Sequence, residues 1–305
     1  MLSVSVIMPV YNGEEYIADA IESILNQTFT DFEFIIINDG SKDKSSEIIK
    51  SYSKIDNRII FIDRVENKQL PYTLNEGLRA ANGKYIARMD CDDISVVDRL
   101  KIQYDFLENN QDIGIVGGAY AAFNSKGEKK AIIHPVSIFD LTYKFLSDSF
   151  FCHPTVMFRK ELIENIGYYH EVEAEDFDFF SRMLYVTKGI NIPTILLNYR
   201  ETLNNRSFSA KDKITHSVEA IYKNNYLFYF GSLLFNDVFY RFHKYNRSNI
   251  FLVPLNFFIS LIIINKIRTN YRFSFMDNEF LSYLHVPIQS YFKITINRIK
   301  NKFER

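Results

Sequence analysis

The sequence predicts an α/β fold: a doubly wound, mainly parallel sheet, followed by a mostly helical C-terminal extension. Three observations predict it. Apolar runs alternate with apolar stripes of helical period from residue 4 to residue 89. The links between them are short, as in strand–helix–strand units. The charge balance then reverses near residue 205. Residues 1–205 hold 21 Lys+Arg against 31 Asp+Glu, whereas 206–305 hold 15 against 6. We therefore expect a domain over 1–205 and a separate basic, aromatic-rich region over 206–305.

The elements follow in order. Val4 to Pro9 reads as the first strand, and Asn12 with Glu15 resembles a capping box for the next helix. That helix places Ile17, Ile21, Ile24 and Leu25 on one face. Phe32 to Ile37 is almost wholly apolar, as parallel strands covered on both faces tend to be. The turn Asn38-Asp39-Gly40-Ser41 leads to a helix carrying Ile48, Ile49 and Tyr52. Arg58 to Ile62 is the third strand, and Leu74 to Ala81 a short helix with Gly83 at the C′ position. Tyr85 to Met89 is the fourth strand. Beyond it, Asp98 to Asn109 is expected to be helical, Ile113 to Gly118 extended, and Asn124 to Gly127 a hairpin turn. Pro154 to Arg159 reads as a strand, with His153 in extended backbone before it. Glu161 to Ile166 is a short helix closed by Gly167, and Asp176 to Tyr185 a longer one. Right-handed crossovers bring the carboxyl ends of the strands, and so Tyr11, Asp39 and Asp90, to one edge of the sheet, where ligands of such folds bind.

A chain of 305 residues with 47% hydrophobic and 16% aromatic content can build a sizeable core. Two cysteines, Cys91 and Cys152, argue against a disulfide framework, and a zinc site built from them with His153 lacks the usual spacing. No basic n-region precedes the first strand, so no signal peptide is expected, and the sequons at Asn205 and Asn246 read as chance matches. A reducing cytosol is the expected compartment. No G-x-x-x-x-G-K-[ST] loop and no G-x-G-x-x-G fingerprint occurs, which removes support for ATP hydrolysis and hydride transfer.

The stretch Asp90-Cys91-Asp92-Asp93 sets three carboxylates within four residues at the end of a buried strand. They would repel one another unless a cation joined them, and a hard ion such as Mg2+ or Mn2+ takes oxygen ligands shared with a substrate phosphate. The structural alternative is an acidic loop capping the next helix through Asp92, Asp93 or Ser95.

Five motifs then occur in one order: Val10-Tyr11-Asn12, Asn38-Asp39-Gly40-Ser41, Arg88-Met89-Asp90-Cys91-Asp92-Asp93, His153 to Arg159, and Glu175-Asp176-Phe177-Asp178. Together they resemble family 2 glycosyltransferases, the inverting enzymes of GT-A (Rossmann-like) fold, over roughly residues 3 to 202. The resemblance implies a metal-dependent, hexosyltransferase-like enzyme of bacterial surface-polysaccharide synthesis. It implies a nucleotide-sugar donor, a UDP-sugar, and a hydroxyl acceptor on a glycan or lipid-linked chain, with Mn2+ or Mg2+ as cofactor. On that resemblance Pro9, Tyr11, Asp39, Asn67, Asp90, Cys91 and Asp92 line the donor site. Tyr11 offers an aromatic face to the base and Asp39 accepts the ring N–H of uracil. Asp90 faces the ribose and the sugar, and Asp92 ligates the metal on the diphosphate. Asp93 is read either as a metal ligand through water or, in preference, as the cap of the following helix, and Arg88 as structural.

Asp176 is the expected general base, taking the proton of the acceptor hydroxyl. A carboxylate at a helix start can also serve the helix dipole alone. Asp178, two residues on, would point elsewhere. His153, Glu175 and Arg200 are weaker candidates on the acceptor or diphosphate side; Arg200 could equally bridge to the acidic motif. A sugar-nucleotidyltransferase would use similar chemistry, but Val10-Tyr11-Asn12-Gly13 does not resemble its glycine-rich loop. A catalytically silent glycan-binding subunit is the alternative from another class.

In the C-terminal region Ile250 to Ile264 is mostly apolar, though it holds Pro254, Asn256 and Ser260, and is short of a membrane span; Lys266, Arg268 and Arg272 follow it. This pattern suits peripheral contact with the inner face of the cell membrane, or a helical appendage packed on the first domain. No nucleic-acid recognition motif accompanies the basic residues.

Overall fold

A computed structural model of the chain describes residues 2–230, apart from 125, 135, 138–140, 142–144, 147–149 and 202–210. The described residues fall into two compact units: those within 1–138 and 149–218, and those within 139–148 and 219–230. In the smaller unit the Asn225 amide donates to the Phe145 carbonyl at 2.9 Å. The stretch Ile250 to Ile264 and the basic residues after it lie outside the described residues.

The larger unit holds nine strands among its described residues. They are β1 Val4–Val10, β2 Phe32–Asp39, β3 Ile59–Arg64, β4 Tyr85–Arg88, β5 Ile94–Ser95, β6 Ile113–Phe123, β7 Lys129–Ile132, β8 Met157–Arg159 and β9 Lys188–Arg200. The sheet order is β3-β2-β1-β4-β8-β6-β9-β5, with β7 beside β6. β3, β2, β1 and β4 are mutually parallel. β8 runs antiparallel between β4 and β6, and β9 is parallel to β6. The sheet is thus mixed but mostly parallel. From β1 the chain winds outward through β2 and β3, then crosses back to place β4 on the other side of β1. That reversal opens a crevice at the carboxyl ends of β1 and β4, the place where open α/β sheets bind ligands.

Helices α1 Ile17–Leu25, α2 Ser45–Ser53, α3 Leu70–Ala80 and α4 Arg99–Asn109 cover the sheet. α5 Leu162–Ile166 and α6 Glu175–Val186 follow, and α7 Lys211–Phe230 passes from the first unit into the second. Among the described residues no helix is long and apolar enough to cross a membrane. α1 buries Ile17, Ala20, Ile21 and Ile24, as its period required. The capping box expected before it does not form. Asn12 adopts φ 51° and its side chain accepts the Lys42 amide instead, while Tyr16 occupies the cap position without a side-chain bond. A cap contributes about 1 kcal/mol, whereas each buried isoleucine contributes about 1.5–3 kcal/mol. Packing therefore holds this helix.

Other boundaries shifted for local reasons. α3 begins four residues earlier than its apolar period suggests, because Pro71 sits in its first turn. Gly83 is not a helix C′ residue: the helix ends in extended backbone at Ala81. A Cβ on Gly83 would lie 2.5 Å from the Ser5 backbone nitrogen, so glycine is needed where the chain passes β1. The expected strand over Pro154–Arg159 starts only at Met157. His153–Thr155 form one turn of 3-10 helix, closed by a Thr155 amide bond to the Cys152 carbonyl. β9 has little apolar alternation through Lys188–Thr194 and escaped the sequence pattern. The Asn124–Gly127 hairpin forms as expected and joins β6 to β7. Gly167 ends α5 at φ +74°.

Within apolar β2, Glu33 is buried. Its carboxylate accepts from the Ser5 hydroxyl at 2.6 Å and the Asn82 amide at 2.6 Å, which ties β1, β2 and the loop before β4 together. At the end of β2, Gly40 takes φ +71°, and a Cβ there would meet the Glu66–Asn67 backbone at 2.6 Å. Both constraints demand glycine. Gly40→Ala should therefore cost about 1–3 kcal/mol in urea denaturation. A change within about 0.5 kcal/mol would contradict the close approach of these two loops.

Candidate functional site

The carboxyl ends of β1, β2, β3 and β4 carry the residues singled out in the sequence. Pro9 is buried in β1, beside Ile37 of β2. Tyr11 follows β1 and is 51% exposed, its ring free to meet a ligand. Asp39 ends β2 and is buried. Its Oδ1 accepts from Arg64 at 3.0 Å and from the Lys68 amide at 2.8 Å. Arg64 also binds Thr73 and pairs with Glu76 of α3, and its guanidinium lies 4.6 Å over the Tyr72 ring. Asp39 is thus held in a fixed orientation by Arg64 and the Lys68 amide. Asn67, in the loop after β3, is exposed, and its side chain accepts the Gln69 amide at 3.0 Å. Gln69 takes φ 73°. It and Asn12 are the non-glycine residues of positive φ among the described residues, and both lie on this edge, where strain marks functional loops.

The acidic stretch closes the crevice. One oxygen from each of Asp90, Asp92 and Asp93 lies within 4.8 Å of the others. Buried Arg88 ion-pairs with Asp90. Burial, then the Asp90 charge, pushes the Asp92 carboxyl up to about 6. Burial and the charges of Asp90 and Asp92 raise Asp93 well above the ordinary range. Asp93 is not the cap of the next helix, which starts only at Arg99. Its Oδ1 accepts the Arg200 amide at 2.8 Å, and its buried Oδ2 has no hydrogen-bond partner. Three crowded oxygen donors, two of them reluctant to ionise and one oxygen unsatisfied, fit a hard divalent cation. Among the described residues this is the one His/Cys/Asp/Glu grouping that could hold a metal. Cys91 is packed against Gly13, where a Cβ would stand 3.1 Å from its sulfur, and burial pushes its thiol up.

Arg200 comes to the same loop from β9. Its Nε donates to the Asp92 carbonyl at 2.8 Å, and Nη2 stands 3.4 Å from Asp19. Of the two roles read from sequence, the structure shows contact with the acidic motif.

Asp176 lies in the first turn of α6, where its Oδ1 accepts the Phe177 amide at 2.7 Å. Glu175 is buried beside it. The thiol of half-buried Cys152 is raised by desolvation first, then by the charges of Asp93, Asp90 and Asp176. The acidic loop and the start of α6 are therefore both within electrostatic reach of one atom. Asp178 points elsewhere, as expected, to Arg182 at 2.8 Å and His170 at 3.0 Å. His153 is buried, and its Nε2 meets the Tyr169 hydroxyl at 3.0 Å. Tyr169 stacks on Phe179 at 3.8 Å, and its backbone exchanges two hydrogen bonds with the Asn75 side chain of α3. Sequence reasoning weighed Asp93 as a ligand through water but favoured the helix cap, and it passed over Tyr169 altogether. The third carboxylate of the run was the available signal for Asp93; nothing in the sequence pointed to Tyr169.

Comparison with known proteins agrees with this geometry. Residues 5–167 match the profile of glycosyl transferase family 2. The O-antigen biosynthesis glycosyltransferase WbnJ of Escherichia coli is 37% identical over 211 residues, 67% of this chain and 81% of that protein. An uncharacterised glycosyltransferase of Methanocaldococcus jannaschii is 34% identical over 203 residues, 65% of this chain and 70% of its own. Among solved structures, S. aureus TarS 1-349 in complex with UDP-GlcNAc superposes with a TM-score of 0.64 at 19% identity, covering 98% of this chain and 92% of that one. The mannosyltransferase PcManGT of Pyrobaculum calidifontis, in complex with GDP-Man and Mn2+, gives 0.59 at 15% identity, over 98% and 87%. The crevice at the β1/β4 reversal, its ordered motifs and these matches lead to one conclusion: the chain belongs to glycosyl transferase family 2 and has the GT-A fold.

Proposed function

We propose that this glycosyltransferase moves a sugar from a UDP-sugar to a hydroxyl of a glycan or lipid-linked acceptor, with inversion, in surface polysaccharide synthesis. The observation that carries the reading is the three-carboxylate cluster at the sheet reversal, with Asp39 and Tyr11 on the same edge. Support comes from the O-antigen role in the name of the Escherichia coli relative and the UDP-GlcNAc in the TarS complex.

Asp92 and Asp93 would hold Mn2+ or Mg2+, with Asp90 turned toward the ribose and sugar. When bound, the ion would neutralise charge on the departing diphosphate. Arg64 orients the Asp39 carboxylate to accept the uracil ring N–H, while the exposed Tyr11 ring covers the base. Pro9 and Cys91 form the wall beneath, and Asn67 shapes the loop before α3. Asp176 takes the acceptor proton as the hydroxyl oxygen attacks the anomeric carbon and the bond to the diphosphate breaks on the opposite face. Buried Glu175 and the His153–Tyr169 pair shape the acceptor side. Residues 1–205 are in this reading the catalytic part, and 206–305 the part that meets the acceptor's membrane surface.

Three measurements test the reading. In wild-type protein, calorimetric UDP affinity should rise with Mn2+, and in Asp92→Ala it should be the same with and without the ion; a variant that still responds to Mn2+ removes Asp92 from the metal site. Asp176→Asn should bind UDP like wild type while transfer falls roughly 10²–10⁴-fold. Full activity in that variant would show the base lies elsewhere. The third is pH dependence. Asp92 is protonated more readily in the folded chain than in the unfolded one, so the metal-free fold is penalised above about pH 6 and relieved as pH falls toward 4. Mn2+ binding needs the ionised form. Its affinity should thus drop about tenfold one unit below that pKa, while the metal-free melting temperature rises from pH 7 to 5. An Mn2+ affinity flat over this range would refute the assignment.

A further inference from the structure

Arg200 is separated from the acidic stretch by more than a hundred residues, yet it grips two of its members. Its backbone N–H donates to Asp93 Oδ1 at 2.8 Å, and its side-chain Nε donates to the Asp92 carbonyl at 2.8 Å. The guanidinium is itself cradled. Its carbon lies 4.4 Å from the centre of the Tyr16 ring and 4.8 Å from that of Phe123. Tyr16 stands at the start of α1 and Phe123 at the end of β6, so two separate elements fix the plane of the fork. β9 is held in register there. Leu197 and Asn198 pair with Ser95 and Ile94, and the Glu201 amide bonds the Phe123 carbonyl. The bond to Asp93 Oδ1 sets that carboxyl's rotamer and leaves Oδ2 as its unsatisfied oxygen.

We propose that Arg200 is a positioning residue for the cation site: it fixes the Asp92–Asp93 backbone and the Asp93 rotamer so that their oxygens converge before any metal arrives. The assignment rests on the nucleotide-sugar reading of the cluster and adds to it a residue outside the acidic motif. Only an arginine serves here. Lysine lacks both the planar face that the two rings clasp and the Nε–H that reaches the carbonyl. The backbone bond to Asp93 survives any side chain except proline, so replacement loosens the loop without dissolving it.

The test is Mn2+ titration of the full-length protein without nucleotide, followed by the electron paramagnetic resonance signal of free Mn2+. UDP calorimetry in EDTA runs beside it. Arg200→Ala should weaken Mn2+ about tenfold, the range of one lost charge-assisted hydrogen bond. Metal-free UDP affinity should stay at the wild-type value. Arg200→Lys should not restore Mn2+ affinity, and Phe123→Leu, which removes one ring face and keeps the bulk, should weaken Mn2+ by about threefold. Unchanged Mn2+ affinity in Arg200→Ala overturns the proposal. So does a loss confined to metal-free UDP, which would make Arg200 a direct diphosphate contact, and so does full rescue by lysine. Wild-type protein that binds neither Mn2+ nor UDP would instead overturn the nucleotide-sugar reading.

Discussion

The structure is organised around the repulsion of three carboxylates at the end of β4. Two unit charges about 5 Å apart repel by about 3 kcal/mol at the effective dielectric of a protein site. Asp90, Asp92 and Asp93 meet at that separation, and burial adds to the cost. The chain offsets this in separate ways. Arg88 pairs with Asp90, Arg200 supplies two donors to the following residues, and the carboxyls of Asp92 and Asp93 hold protons more strongly than usual. What remains unmet is the second oxygen of Asp93, buried without a hydrogen-bond partner.

Beneath the acidic loop lies a second, fully buried guanidinium, that of Arg99 in α4. Its donors go to neutral acceptors: the Arg88 carbonyl at 2.7 Å, the Val156 carbonyl at 3.3 Å and the Gln103 side chain at 3.0 Å. Gln103 continues the chain to the Val116 and Thr155 carbonyls. One helix therefore ties the end of β4, the turn that holds His153 and the middle of β6 into a rigid block. Burial and the neighbouring Arg88 charge lower the Arg99 pKa to about 10, still far above neutrality, so its positive charge persists behind the carboxylates. The antiparallel strand β8 completes the block by joining the parallel half of the sheet to β6 and β9.

The first half of the fold was legible because each parallel strand is an unbroken apolar run and each helix repeats at 3.6 residues. Phe32–Ile37 is the clearest case, and Glu33 within it shows that one buried charge does not spoil the signal when partners are at hand. β9 was not legible. Its apolar side chains are interrupted by Asn191, Pro193 and Thr194, and register shifts in its pairing with β6 break the alternation. Local capping rules failed at Asn12 because a tertiary bond to Lys42 competes with the helix for its side chain. At the site, residue types and spacing pointed to Asp39, Asp90 and Asp92, which the fold brings to one edge. The assignment of Asp93 to a helix cap failed because β5 intervenes before α4 begins. Tyr169 owes its place to Asn75 and Phe179, long-range partners with no trace in the local pattern.

The grip of β9 on the acidic loop also orders assembly in time. A ribosome that has released only the β1–β4 half has made Asp90 through Asp93, but the donors that arrange them are still more than a hundred codons away. The nascent chain therefore lacks the bonds that arrange this loop until β9 has closed beside β6. Long-range closure of this kind is a late event in folding, and here it couples the ordering of the acidic loop to completion of the sheet.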